Sequence, residues 1–212
     1  NFSSNDISEL ENGEQWRGLN TETLNLADNR LTTIPTRIMD SGSIVNVLML
    51  SSNGIRTIEE GALIGPRSNA LTTIDLSFNR IAELPKDDFS NTNIPYLYGI
   101  DLSSNALSEF PRGLLDIEPL TVVSIRQQRD DEGNRTLSDW PTGIGRHPSM
   151  AALYYGSNDL GVVDDYISPY ILLFEIKDNP NISIDLSDVC PYIEMGYYEL
   201  IYDSTQDIRG CD

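Results

Sequence analysis

At 212 residues, the chain carries 33 acidic and 14 basic side chains, a net charge of −19 at neutral pH, with two cysteines and a single histidine. That balance argues against nucleic acid and anionic membranes as partners, since binding to either rests on Lys and Arg neutralising phosphate charge, and no stretch of 18 apolar residues is present to span a bilayer. The acid is uneven: residues 148–212 hold 12 acidic and 2 basic residues, a net −10, which serves solubility or draws in a cationic partner.

The first residues lack the basic head and apolar run of a signal peptide. Instead Phe2-Ser-Ser-Asn5-Asp-Ile7-Ser-Glu-Leu10 repeats the spacing of Leu102-Ser-Ser-Asn105-Ala-Leu107-Ser-Glu-Phe110. The chain is therefore expected to start in mid-repeat, as a fragment whose signal and anchor lie upstream, because a natural end would cap the core and sheet edge. Whole copies of the frame follow. Leu24, Leu26, Asn29, Leu31 and Ile34 make the first, and Leu48, Leu50, Asn53, Ile55 and Ile58 the second. Ile74, Leu76, Asn79, Ile81 and Leu84 make the third, and Ile100, Leu102, Asn105, Leu107 and Phe110 the fourth. From Asn5 the asparagines stand 24, 24, 26 and 26 residues apart, a period that marks a solenoid.

The frame has a physical reading. Two apolar residues at i and i+2 are the inward face of a short strand. The turn after it carries peptide groups into an apolar stack, where they must find partners. Asparagine offers both a donor and an acceptor there and tolerates turn conformations, so one per coil predicts a ladder through the stack: Asn5, Asn29, Asn53, Asn79, Asn105, Asn158 and Asn179. Ile34-Pro35, Leu84-Pro85 and Phe110-Pro111 then bend the chain back, proline preventing strand pairing.

The fifth unit departs from the frame. Its strand is Val123-Ser-Ile125, but Gln128 stands where asparagine belongs, and about six residues are inserted after it. Asn134, 24 residues before Asn158, is expected to take over the ladder. The insertion, residues 126–135, is either a contact loop, as repeat insertions often are, or a solvated loop whose charges neutralise one another. Regular units return at Leu153, Tyr155, Asn158, Leu160 and Val163, and at Phe174, Ile176, Asn179 and Ile182. The last unit, Leu200-Ile-Tyr202, places Thr205 at the asparagine position. Cys190 and Cys211 lie 21 residues apart, about one coil, within a closing segment of residues 183–212. They form either a disulfide clasping the C-terminal cap or two buried thiols; a disulfide points to an oxidising compartment.

Six copies of this frame, spread over essentially the whole chain, make it similar to the leucine-rich repeat proteins, and the 24-residue units with Leu/Ile-Pro resemble those of bacterial surface or secreted members. The resemblance implies an α/β solenoid: a single domain over residues 1–212, of about eight coils with the first truncated, wound right-handed. It further implies a parallel sheet on the concave side, irregular or 3-10 segments on the convex side, and binding of a protein partner through the concave face at the cell surface or outside the cell.

Strand residues that do not point inward face that concavity. In the first four coils they are small and repetitive, Phe78 and Asp101 standing out; later coils present Arg126, Gln127, Tyr154, Glu175, Lys177 and Asp178. Aromatic and arginine anchors distinguish binding surfaces, so these eight residues are the candidate ligand-binding set, led by Tyr154 and Arg126. Eight of the ten tyrosines fall between Tyr154 and Tyr202, and some, with Tyr155 and Tyr202 at core positions, serve packing instead.

No catalytic set is legible. His147 is the one histidine, in a convex-side Gly-Arg-His-Pro step, with no nucleophile or metal-ligand spacing around it. Phosphate-loop, calcium-loop and other cofactor patterns are missing as well. The Asp75 and Asp101 carboxylates lie on adjacent strands, but an open sheet offers no desolvated cleft to tune them. The reading is a non-catalytic recognition module without cofactor or metal, binding a protein; a glycan stacked on Tyr154 and held by Asp101, Glu175 and Gln127, or a spacer displaying a neighbouring domain, are the alternatives.

Overall fold

The computed structural model describes residues 1–10, 21–36, 38–39, 45–64 and 70–211. In chain order the strands are β1 (Thr23–Asn25), β2 (Thr33–Ile34), β3 (Val47–Met49), β4 (Thr57–Ile58), β5 (Thr73–Asp75), β6 (Gly99–Asp101) and β7 (Val122–Ser124). There follow β8 (Ala152–Tyr154), β9 (Val162–Val163), β10 (Leu173–Glu175), β11 (Ser183–Asp185), β12 (Glu199–Ile201) and β13 (Asp207–Arg209). β1, β3, β5, β6, β7, β8, β10 and β12 form one eight-stranded parallel sheet in that order. Each has three residues, and the middle one is buried from Leu24 through Leu48, Ile74, Ile100, Val123 and Leu153 to Phe174, as a period of two requires. This is the parallel-strand solenoid expected of the repeat.

Beyond each strand the backbone reverses through a left-handed residue. Ser4, Asp28, Ser52, Phe78, Ser104, Gln127, Ser157 and Asp178 all have φ between 54° and 59°, a conformation that costs a side-chain-bearing residue about 1–2 kcal/mol. The ladder holds it. Asn105 donates to the carbonyls of Leu76 in the preceding coil (2.9 Å) and Leu102 in its own (2.9 Å), and accepts the Ile81 amide (3.0 Å). Asn29, Asn53, Asn79, Asn158 and Asn179 repeat the pattern. Exposed Asn5 donates within its own turn, to Phe2 and Ser3.

Two expectations about the ladder are overturned. Gln128 itself, fully buried, occupies the fifth rung, accepting the Leu107 amide (3.0 Å) and donating to Leu102 and Arg126 carbonyls (2.9 and 3.0 Å). Its extra methylene still lets the amide reach both coils. Asn134 does not take over: it is exposed and bound to Asp130 in a tight loop. At the last coil Gln206, not Thr205, completes the ladder through the Ile176 and Asn179 carbonyls (2.8 and 3.1 Å). That turn is off the frame, its Asp203 amide being taken by Gln206 (2.8 Å), and Tyr202 is consequently 49% exposed rather than in the core. Tyr155 is fully buried as expected, its hydroxyl donating to the Asp139 carbonyl (2.6 Å).

The opposite side is more ordered than the resemblance implies. Besides 3-10 turns at Arg112–Asp116 and Ile144–Arg146, β2 pairs with β4, and β9, β11 and β13 form a small parallel sheet. Carboxylates cap amides that no strand satisfies. Buried Asp88 accepts from Gly61 (2.8 Å) and Leu63 (2.7 Å), and Asp165 from Gly143 (2.8 Å) and the Trp140 indole (3.2 Å). Coils approach so closely at Gly145 that a Cβ would lie 1.9 Å from the Tyr166 carbonyl oxygen. A disulfide joins Cys190, in the helix α1 (Cys190–Glu194), to Cys211 just after β13, Cα to Cα 5.3 Å. Closing a loop of this length stabilises by roughly 3 kcal/mol.

Replacing Asn105 by alanine leaves buried carbonyls and an amide without partners and is expected to cost about 3 kcal/mol or more, read as a lower midpoint in urea unfolding at unchanged m. His147 supplies a pH test. It lies buried on the convex side, Nε2 within 3.1 Å of the Ile117 carbonyl, and burial pushes its imidazole below the ordinary histidine value. The unfolded chain takes up a proton at about pH 6.5 and the folded one only lower, so stability is retained above about pH 6.5 and declines as pH falls toward the folded value. Against a His147→Gln variant, the wild type should lose stability as pH falls below about 6.5; parallel curves would show that folding leaves the imidazole's proton affinity unchanged.

Candidate functional site

The outward face of the long sheet carries three parallel rows. Asn25, Met49, Asp75, Asp101, Ser124, Tyr154, Glu175 and Ile201 lie in register across all eight strands, one residue beyond the buried centre of each. Thr73, Gly99, Val122 and Ala152 belong to the row on the other side of that centre. A third row continues the ladder past the strands: Ser77, Ser103, Arg126, Gly156 and Lys177, with amide-to-carbonyl bonds of 2.7–3.0 Å between coils.

The structure brings three of the candidate residues together. The Arg126 guanidinium stacks over the Tyr154 ring, 4.2 Å from its centroid, and its Nε donates to Glu175. Gly156 makes this possible. It stands between Arg126 and Lys177 in the third row, and a Cβ there would lie 3.0 Å from the Glu175 carboxylate. The missing side chain leaves the space through which Arg126 reaches Glu175 across an intervening coil.

Next to this cluster is a groove of about 470 Å³. Its floor is Thr73, Gly99 and Val122, where glycine and short side chains lower the surface, and its walls are Tyr98, Arg126 and Tyr154. Tyr98 is 53% exposed. Asp75 and Asp101 line the far side. One oxygen of each is engaged, Asp75 accepting from the Ser77 amide (3.0 Å) and hydroxyl (2.6 Å), and Asp101 from the Ser103 amide (2.8 Å). Among the described residues neither carboxylate has a cationic partner. Thr73, Gly99 and Val122 escape a sequence reading that follows only the residue between the paired core positions, although the same period of two puts the residue before the pair on this face as well; Tyr98, one residue ahead of β6, is placed there by no period.

The other candidates lie apart from the groove. Phe78 is 62% exposed at its left-handed turn, and Gln127 and Lys177 are exposed on the same turn edge. Asp178 is occupied: Arg135 from the insertion pairs with it at 2.7 Å and holds its carboxyl below the usual carboxylate range. The insertion folds back on itself through an Arg129–Arg135 bridge, and its Asp131 meets Arg56 (3.0 Å) and Arg80 (3.5 Å) of earlier coils. Asp131 and Arg135 are thus engaged by other coils, while Asp130 and Glu132 accept from Asn134 within the loop. Among the described residues no group of three His, Cys, Asp or Glu is placed to hold a metal ion, and no helix is long and apolar enough to cross a membrane.

Two leucine-rich repeat family models match the sequence, over residues 20–68 and 70–92. Solved structures agree over nearly the full length. A leucine-rich repeat protein from Bacteroides eggerthii is 46% identical with a TM-score of 0.87, the match covering 90% of this chain and 32% of that one. Another from Bacteroides thetaiotaomicron is 43% identical with a TM-score of 0.89, covering 99% and 27%. This chain is a leucine-rich repeat protein. It is also similar to chicken Tsukushi, 37% identical over 82 residues, or 39% of this chain and 22% of that protein. The leucine-rich repeat chain therefore spans about a third or less of the length of these relatives.

Gly156→Ala should unseat Arg126 from Glu175, since the new methyl meets the Glu175 carboxylate, and should also lower stability somewhat, because it stands 3.0 Å from the Lys177 carbonyl oxygen that joins the two coils. The expected readout is loss of protection and order at the Arg126 Nε proton in NMR spectra; an unchanged signal would show that the ion pair does not depend on the gap.

Proposed function

We propose that this leucine-rich repeat chain is a non-catalytic recognition module that binds a protein through the outward face of its long sheet, centred on the groove beside Arg126 and Tyr154. One observation carries the reading: an arginine is fixed in place before any ligand arrives, stacked on Tyr154 and tied to Glu175. Ordered arginine and tyrosine side chains lose little entropy on binding and supply most of the energy at protein interfaces. The leucine-rich repeat architecture supports protein recognition in general, and the disulfide supports an extracellular or cell-surface location. The two Bacteroides relatives favour a bacterial source. Glycan binding has less support, because the Tyr154 face that a sugar would stack on carries Arg126; Tyr98 remains as a platform.

Screening the chain against displayed extracellular proteins and a glycan array separates these readings. A protein partner should lose at least about tenfold in affinity with Arg126→Glu or Tyr154→Ala, be unaffected by Arg30→Glu on the turn edge, and associate more slowly as salt rises. Binding indifferent to both face variants would move the interface elsewhere, and salt-independent glycan binding would favour the second reading.

A further inference from the structure

We propose that the groove receives a basic side chain from an extended segment of the partner protein, its aliphatic stem on Thr73, Gly99 and Val122 and its cation between Asp75 and Asp101. The inference rests on the protein-binding reading above and names the chemistry of what is bound.

The case starts from a conflict in the sheet. Asp75 and Asp101 are directly opposite on β5 and β6, and parallel strands lie about 4.8 Å apart. Like charges in that relation destabilise a sheet. Several acids elsewhere are paired with arginine: Glu175 with Arg126, Asp178 with Arg135, Asp131 with Arg56 and Arg80, and Asp139 with Arg112. At Asp75 and Asp101 no described cation is paired, and Arg126, which lines the same groove, is held by Glu175 on its other side. Each carboxylate accepts at Oδ1 from a serine two residues on, with no hydrogen bond described at Oδ2, and both residues line the groove. A cation placed there relieves the repulsion and meets two acceptors.

The groove's shape selects the kind of cation. A hydrated metal ion would use the carboxylates alone and leave the apolar floor bare, and no third His, Cys, Asp or Glu among the described residues is placed to complete a site with them. A lysine or arginine has a stem of three or four methylenes that covers Thr73, Gly99 and Val122, and its head can lie against the Tyr98 ring. Gly99 matters here, because apart from its chain neighbours the nearest atoms to a Cβ built on it belong to Val122, at 3.8 and 3.9 Å, an ordinary contact distance. Net charge agrees: the chain stands at −19, so a basic partner is drawn in over long range before docking.

The test is an NMR titration of the nitrogen-15-labelled protein with the capped tetrapeptide Gly-Gly-Arg-Gly, alongside its citrulline and leucine counterparts and a neutral oligosaccharide. Saturable shifts should map to the Thr73, Gly99 and Val122 amides, with citrulline and leucine about tenfold weaker. Asp75→Asn and Asp101→Asn should each weaken the arginine peptide by about tenfold. Both variants should fold, because Asn25 already occupies this row and accepts the Ala27 amide in the same way (3.0 Å). Gly99→Val should abolish binding with both carboxylates in place. Shifts spread over the acidic C-terminal third and unchanged in the asparagine variants would overturn the proposal. Equal binding of the leucine peptide would remove the cationic assignment yet leave the face as a protein-binding surface, whereas groove shifts with the oligosaccharide alone would overturn both.

Discussion

Each turn that leaves the long sheet carries its peptide groups into an apolar stack where water is excluded, and one carboxamide per coil satisfies them. Everything else in the fold follows from that bond set. A three-residue strand is long enough to bury one side chain and present two, but only if the chain can reverse at once, and the reversal runs through a left-handed residue that most side chains disfavour. The carboxamide below each such residue binds its own coil and the one before it, so the strained turns and the stacking of coils are stabilised by the same hydrogen bonds. Gln128 and Gln206 show that the requirement is for a carboxamide in reach of two coils, not for asparagine at one frame position.

Away from the sheet the same need is met by charge. Asp88, Asp139 and Asp165 accept amides from a preceding coil. Part of the acid excess is therefore structural, placed where convex backbone lacks strand partners. Some carboxylates thus hold coils together and others pair with arginine, while Asp75 and Asp101 stand in register on the sheet face with no cationic partner among the described residues.

That face is regular in its backbone and irregular in its side chains. Every outward position is fixed by register, so a glycine is as informative as an arginine. Gly99 lowers the floor of the groove, and Gly156 opens the path by which Arg126 reaches Glu175. Small residues on the early coils and ordered, larger ones from Arg126 onward meet at the groove beside Tyr98, Arg126 and Tyr154.

By itself the sequence determined the solenoid, the frame and the register row from Asn25 to Ile201, because a period repeated six times constrains every copy at once. It also placed Cys190 and Cys211 one coil apart and set Arg126, Tyr154 and Glu175 on one face. Tertiary structure decided what no period encodes. Gln128 rather than Asn134 fills the fifth rung because reach in space, not spacing along the chain, selects the partner. Tyr202 came out of the core because its turn left the frame. Arg126, Tyr154 and Glu175 became one cluster, and Tyr98, Gly99 and Val122 one groove, through contacts between residues 20–50 positions apart, which depend on the side chains absent at two glycines as much as on those present.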